Sequence, residues 1–313
     1  MVKYTLKRVL YMLITLFIIA SVTFVLMKFL PGTPYRNQEK LSDEQIHMMN
    51  EKYGLNDSIP VQYLNYMTGL VKGDLGVSFQ LDNRPVSEIL SALIGPSVQL
   101  ALEAMAFGVI FGILLGVIAA MYQNRWPDYT STFIAILGKS VPSFVFATVL
   151  QYWLGAKLQI FPVAGWGTFA DTILPAFALA MFPLATAARF MRTELIDVFA
   201  SDYVLLAKAK GNSRTEVAVK HAIRNALIPL ITVLGPLSVA LMTGSLVIEN
   251  IYSIPGIGSQ FVSSIQTNDY PVIMGTTILF AVMLVFVILV VDILYGLIDP
   301  RIRVSGGRNN GRT

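Results

Sequence analysis

Six long apolar runs limit what this chain of 313 residues can fold into more than any other feature. A transmembrane helix needs about 20 mostly apolar residues to cross a hydrocarbon layer of ~30 Å, because an α-helix rises ~1.5 Å per residue. Charged residues make up only 13% of the chain, against about 25% in soluble proteins. The sequence therefore predicts an all-α polytopic membrane protein with six transmembrane helices, at 9–30, 97–121, 129–155, 172–191, 226–248 and 271–297.

Lysine and arginine residues lie mainly on one side of these predicted spans. If the N-terminus is cytoplasmic, the cytoplasmic segments hold 15 of them and the short external loop holds one. The external segment 31–96 holds five, but long segments are translocated almost regardless of their charge. The distribution predicts that both termini are cytoplasmic.

Several kinds of chemistry lack the residues they need. The chain has no Cys and only two His, both outside the apolar runs, which excludes thiolate catalysis and argues against a His-based site in the membrane. Gly138-Lys139-Ser140 imitates the end of a phosphate-binding loop, but that motif needs Gly at 133, where the chain has Phe133. We therefore predict no catalytic residue, no metal ligand and no cofactor bound by this chain.

The segments outside the spans define the remaining organisation. Ser42 to Gln45 forms a capping box that predicts a short helix closed by Gly54, and Pro60 begins a second helix. We expect a cytoplasmic N-terminus with the first span (1–30), an extracytoplasmic insert (31–96), a core of five spans (97–298) and a cytoplasmic tail (299–313).

The cytoplasmic segment 193–225 within the core is punctuated by cap residues. Ser201 and Asp202 predict an N-cap, the following run predicts a helix of two to three turns, and Gly211 predicts its end. Ser213 to Glu216 forms a second capping box. Because isolated helices this short are marginal in water, we expect the first one to be ordered by a separate cytoplasmic partner.

This segment carries a resemblance to a known family. Residues 202–211 (DYVLLAKAKG) and 220–229 (KHAIRNALIP) resemble the coupling loop of binding-protein-dependent ABC importers, and most closely the peptide-permease branch. Further matches to that branch occur at 53–55, 60–63, 73–76, 141–144, 161–163, 244–245, 254–258, 292–295 and 298–301. The general motif begins Glu-Ala-Ala, where this chain has Leu205, Leu206 and Ala207. The general motif also has Leu-Pro about thirteen residues after its glycine, where this chain has Arg224 and reaches a proline only at Pro229. Both departures agree with the peptide branch.

The resemblance implies a type I ABC importer transmembrane domain in a bacterial cytoplasmic (inner) membrane. It implies a permease subunit that, with a second homologous permease subunit, forms the pathway for oligopeptide uptake; nickel, glutathione or dipeptides are the alternative cargoes within the family. The implied partners are two cytoplasmic subunits that bind ATP and Mg and an extracytoplasmic peptide-binding protein, with no nucleic acid among them. The residues implied to couple the chain to the ATPase are Asp202, Tyr203, Ala207, Ala209 and Gly211.

Candidate pathway residues are polar or helix-breaking positions inside the spans. Prolines there free backbone carbonyls, which suits a cavity as well as a simple kink. Lys139 costs about 2.5–3.5 kcal/mol at a span centre, so we expect it to face a wet cavity, to pair with Glu103 or to snorkel. Gly108, Gly112 and Gly116 recur every four residues and predict close helix packing. The candidates for the pathway are Lys139, Ser140, Pro142, Ser143, Phe144, Gly235, Pro236 and Gly244.

Two other functional classes make different predictions. A secondary transporter that works without ATP predicts an inverted repeat and paired ionisable residues along several spans. An intramembrane protease predicts a catalytic dyad or paired aspartates within spans. The sequence contains neither pattern, so a transport subunit without enzymatic activity is the preferred interpretation.

Overall fold

The computed structural model describes residues 2–30, 35, 42–243 and 246–298, and within them nearly all regular structure is helical. The first part of the chain forms α1 (Val2–Lys28), α2 (Asp43–Lys52), α3 (Ile59–Lys72) and α4 (Val86–Met121). The middle forms α5 (Trp126–Ser140), α6 (Ser143–Leu150) with a π-helical continuation (Gln151–Lys157), and α7 (Phe169–Phe199). The last part forms α8 (Asp202–Ala209), α9 (Arg214–Glu216) with a π-helical continuation (Val217–Ala222), α10 (Ile223–Met242), α11 (Leu246–Ile251), α12 (Ile257–Gln266) and α13 (Tyr270–Ile298).

The helices confirm an all-α polytopic membrane protein. In the described part of the chain, five single helices are long and apolar enough to cross a membrane, namely α1, α4, α7, α10 and α13. Helices α5 and α6 with its continuation provide a sixth span if the bent pair counts as one. Each of the five single helices extends beyond its predicted run at one end or both.

The third apolar run was wrongly predicted to be one continuous helix over 129–155. The chain bends by 100° between α5 and α6. The residue before a proline is driven out of the helical region, and Val141 accordingly has φ −89° and ψ 124°. Pro142 also lacks the N–H that would continue the helix, so the break follows from one residue. The fifth run was also predicted too long, because α10 ends at Met242.

The first of two compact units contains the described residues of Met1–Gly95 and Gly256–Val285. The predicted capping box of α2 is present: the Ser42 hydroxyl accepts a hydrogen bond from the Gln45 N–H at 3.2 Å. Residues from α4, α12 and α13 form an apolar core around Val86 and Val272. The buried carboxylate of Asp269 accepts hydrogen bonds from the hydroxyl of Ser78 and, at 3.1 Å, from the backbone N–H of Phe79.

The second compact unit contains the described residues of Pro96–Pro255 and Phe286–Thr313, and α7 lies at its centre. The glycine stripe of α4 packs against α7, which confirms its predicted role. A Cβ added to Gly108, Gly112 or Gly116 would lie 2.6–2.7 Å from a backbone oxygen of α7. Such a short distance shows that the two helix backbones touch where the side chain is missing.

Candidate functional site

The short helix α8 begins directly after α7 and lies in the segment predicted to couple the chain to an ATPase. Ser201 occupies the N-cap position, but its hydroxyl donates to the Val198 carbonyl at 2.6 Å and does not cap α8. The predicted N-cap interaction of Ser201 is therefore wrong in its bonding, although the helix begins where expected. Asp202 stands in the first turn, where a negative charge favours the positive end of the helix.

The inner face of α8 packs on its own chain. Val204 and Ala207, one turn apart, are buried in a small cluster with Val217 and the end of α7. The Tyr203 hydroxyl accepts a hydrogen bond from the Asn225 side-chain amide at 2.7 Å. We expected a separate partner to order this helix, and that expectation is corrected: the hydrophobic cluster and the Tyr203 bond supply its order from within the chain.

The outer face of α8 is exposed and partly apolar. Leu205 and Leu206 keep 52% and 57% of their surface exposed, and Asp202 and Ala209 are exposed beside them. Adjacent leucines outside the membrane spans are seldom left exposed, because burial of an apolar side chain lowers the free energy. The face is therefore available to a partner while the helix itself stays fixed.

Gly211 ends this helix in the conformation predicted for a glycine stop. Its φ is +85°, and its N–H donates to the Lys208 carbonyl at 3.0 Å. A Cβ at this position would meet nothing within 4 Å, so the glycine is required by backbone conformation and not by space.

The second capping box follows as predicted. The Glu216 carboxylate accepts the Ser213 N–H at 3.1 Å, and the Ser213 hydroxyl accepts the Glu216 N–H at 3.3 Å. The bond from the Ser213 backbone, followed by one from Lys220, lowers the pKa of Glu216. The glycine stop at Gly211 and the capping box of Ser213 thus fix the two ends of the turn between α8 and the next helix.

The bend between α5 and α6 brings five candidate pathway residues to one corner. Lys139 and Ser140 end α5, Pro142 is the N-cap of α6, and Ser143 and Phe144 form its first turn. Ser143 is half-buried, and the other four are exposed at the surface of the chain. The corner therefore presents a cation, two hydroxyls and a broken backbone on an accessible surface.

The structure excludes one of the alternatives raised for Lys139 from the sequence, an ion pair with Glu103. Glu103 accepts a hydrogen bond from Gln99 at 2.9 Å, and no ion pair joins it to Lys139, although both residues are described. Lys139 is exposed in the last turn of α5. A role in the pathway stays a prediction.

The other pathway candidates lie on or after α10. A Cβ on Gly235 would lie 2.5 Å from Cγ2 of Val291, so this glycine allows α10 and α13 to approach. Pro236 follows it and is exposed. Gly244 lies outside the described residues. The structure thus gives Gly235 a packing contact and leaves the transport role of both helix-breaking residues a prediction.

Sequence reasoning missed an ion pair between two spans. The guanidinium of Arg192 on α7 donates from Nε to Oδ1 of Asp128 at 2.6 Å and from Nη2 to Oδ2 at 2.8 Å. Asp128, at the start of α5, is only 2% exposed and also accepts the Asn124 N–H at 2.9 Å. Its position directly before an apolar run was the available signal, but the sequence did not indicate which cation would pair with it.

A second buried carboxyl was also missed. Glu249 on α11 is 1% exposed, and the Ser97 hydroxyl of α4 donates to its Oε1 at 2.8 Å. The residue stood at the edge of a predicted span and gave no separate signal.

Known proteins resemble this chain along almost its whole length. A dipeptide transport system permease protein of Lactococcus lactis is 46% identical over 304 residues, which are 97% of this chain and 100% of that protein. An oligopeptide transport system permease protein of Haemophilus influenzae is 40% identical, with 97% and 100% covered. A solved structure of the MetNI methionine ABC transporter has a TM-score of 0.56 at 14% identity, covers 68% of this chain and 97% of its own, and shows a shared fold.

Family models match both parts of the chain. Residues 112–304 match the binding-protein-dependent transport system inner membrane component, and residues 1–90 match the N-terminal region of such membrane components. The second match covers the first span and residues 31–90 of the segment that follows it. The chain therefore belongs to the family of inner membrane components of binding-protein-dependent transport systems.

Proposed function

We propose that this chain is the permease subunit of an ATP-driven ABC importer and forms, with a second homologous subunit, the membrane pathway for short peptides. The observation that carries the proposal is α8, a helix fixed to its own chain on one face with two exposed leucines on the other. Its relatives named for dipeptide and oligopeptide transport support the cargo class.

The ATP-binding partners are proposed to receive the outer face of α8. Closure of two ATP-bound subunits pushes Leu205 and Leu206, and the push reaches α7 because Val204 and Ala207 are packed against its end. A helix held only by its partner would transmit little force to the spans. ATP and Mg bind to those partners, and this chain transmits their motion without contributing a catalytic residue.

The substrate is proposed to pass the corner between α5 and α6. A peptide carries a free carboxylate, and Lys139 presents an exposed cation there beside Ser140 and Ser143. Lys139→Met should reduce uptake of peptides with a free carboxylate more than uptake of amidated peptides. Lys157→Met serves as the control, since Lys157 lies over the Tyr152 ring, away from the corner. Equal loss for both peptide classes would reject the carboxylate contact.

The proposed topology places both termini in the cytoplasm of a bacterium and residues 31–96 outside, as an addition to the core 97–298. It rests on the distribution of Lys and Arg. Reporter fusions after Asp82 should be external and fusions after Ser213 should be cytoplasmic. The reverse result at either site would refute this orientation.

The decisive experiment tests the outer face of α8. Leu205→Asp with Leu206→Asp should abolish co-purification of the ATPase subunits and peptide-dependent ATP hydrolysis, because charges would replace the apolar side chains of the proposed contact. Val71→Asp is the control, the same kind of apolar-to-acidic change at a residue that is 88% exposed on α3.

Uptake by proteoliposomes distinguishes the functional classes and the cargoes. The importer requires ATP and the binding protein, whereas uptake driven by an ion gradient alone would identify a secondary transporter. Competition among oligopeptides, dipeptides, glutathione and nickel ranks the cargo, and saturation by nickel without peptide would refute a peptide importer.

A further inference from the structure

A cavity of about 260 Å³ lies among α4, α5 and α7. It is distinct from the corner between α5 and α6, because its lining begins at the opposite end of α5, at Asp128 and Tyr129. The end of α4 and the later half of α7 complete its wall, with Ala119 and Thr193 among the contributors. Every lining residue belongs to the second compact unit.

The residues that line this cavity include one more cation than anions. The guanidinium of Arg192 is paired in two hydrogen bonds with Asp128, so these two residues neutralise each other. Arg189 lies one helical turn earlier on the same helix and is exposed; within the described chain it has no ion pair and no side-chain hydrogen bond. The cavity therefore has a net positive charge of one, carried by a side chain with five free donors.

The lining is polar at one end and apolar at the other. Arg189 and Thr193 stand at the polar end, with Asn124 and Tyr129. Ala135 lies seven residues beyond Asp128, which is about 10 Å along the axis of α5. Leu115 lines the apolar end with Ala135, so the cavity matches a molecule with a charged head and an apolar body.

Two aromatic side chains mark the polar end as a membrane interface. Trp126 and Tyr129 open α5 and keep 77% and 65% of their surface exposed. Tryptophan and tyrosine collect where a span leaves the hydrocarbon layer, because each has an apolar ring and a polar tip. The cationic end of the cavity thus lies at the depth of lipid headgroups.

We propose that this cavity binds an anionic phospholipid, with Arg189 and the Tyr129 hydroxyl holding the headgroup phosphate and the apolar end receiving the start of an acyl chain. A guanidinium presents paired donors to phosphate oxygens, and the Tyr129 hydroxyl supplies a further donor, whereas those of Thr132 and Thr193 already donate within the chain. Basic pockets between transmembrane helices are known to take such headgroups. Because α7 leads directly into α8, an occupied cavity would brace the spans behind the coupling helix.

Native mass spectrometry of the complex extracted with its partner subunits tests this site with phosphatidylglycerol and phosphatidylcholine as probes. Phosphatidylglycerol should be retained more strongly. Arg189→Gln should weaken its retention about tenfold or more, since a charge-assisted hydrogen bond is lost. Arg189→Lys should keep most of the retention, and Arg214→Gln, an exposed arginine remote from the cavity lining, should keep all of it.

Three results would overturn the proposal. The first is equal phosphatidylglycerol retention by Arg189→Gln and wild type, and the second is equal retention of the two lipids. The third is full displacement of the lipid by millimolar inorganic phosphate, which would reassign the cavity to a free anion. A lipid-dependent rise in melting temperature that Arg189→Gln alone loses separates the binding defect from misfolding, because Arg189 makes no bond that the variant would break.

Discussion

The contact between α4 and α7 allows a sharp test of what packs the spans together. An ideal Cβ on Gly112 would lie 2.6 Å from the Leu184 carbonyl oxygen and 2.7 Å from Cβ of Ala187. The first distance is roughly 0.8 Å short of an ordinary contact of 3.4 Å. Since the obstructing oxygen belongs to the backbone, no side-chain rotation can relieve the clash.

Gly112→Leu must therefore separate the two helices. Overpacking costs typically about 1–3 kcal/mol, and a leucine placed against backbone should reach the top of that range. Packing is the main attraction between helices in lipid, so the loss is not recovered by hydrophobic burial. The better helix propensity of leucine returns only about 0.8–1 kcal/mol.

Thermal stability of the detergent-extracted protein, followed by size-exclusion chromatography after heating, measures this effect. Ala106→Leu is the matched control, because Ala106 lies on the exposed face of the same helix and accepts the larger side chain freely. Gly112→Ala should fall between wild type and Gly112→Leu. If Gly112→Leu melts at the same temperature as Ala106→Leu, the glycine stripe does not form a packing face.

Three further predictions concern coupling, the buried ion pair and the insert. Gly211→Val should insert into the membrane normally and lose peptide-stimulated ATP hydrolysis, because valine is strained at φ +85°. The control Gly167→Val, where an added Cβ also meets nothing within 4 Å, should behave as wild type. Full activity of Gly211→Val would show that this turn has no part in coupling. Asp128→Asn should lower the free energy of unfolding by roughly 2–3 kcal/mol, which is below the ~3–5 kcal/mol for a fully buried pair because the partner Arg192 is 31% exposed. The control Glu88→Gln, in an ion pair more than half exposed on both sides, should change the free energy of unfolding by less than about 1 kcal/mol. Similar melting curves for the two variants would contradict this difference. Deletion of 37–52 should weaken a pull-down of the peptide-binding protein, since the insert carries more acidic than basic residues; unchanged docking with reduced uptake would make the insert a lid.

The sequence alone determined the features that depend on neighbours within one or two turns. Hydropathy located all six apolar runs, because crossing a membrane is a property of a single segment. The capping boxes at Ser42 and Ser213 and the glycine stop at Gly211 each involve residues at most three or four apart, and all three formed as predicted. The family resemblance was readable for the same reason, since its motifs are short strings.

The tertiary structure decided which surfaces meet and which stay open. The sequence offered Pro142 as a kink, but the 100° bend needed the packing of α5 and α6 against α7 to set its size. Asp128 and Arg192 are 64 residues apart, whereas Arg125 lies only three residues before Asp128 in the sequence. Their pairing depends on the register in which α5 lies on α7, and that register is fixed by side chains along the whole contact and not by any local pattern. The same reason explains why α8 was expected to need a partner: only the fold brings Val217 beneath Val204 and leaves Leu205 and Leu206 outside.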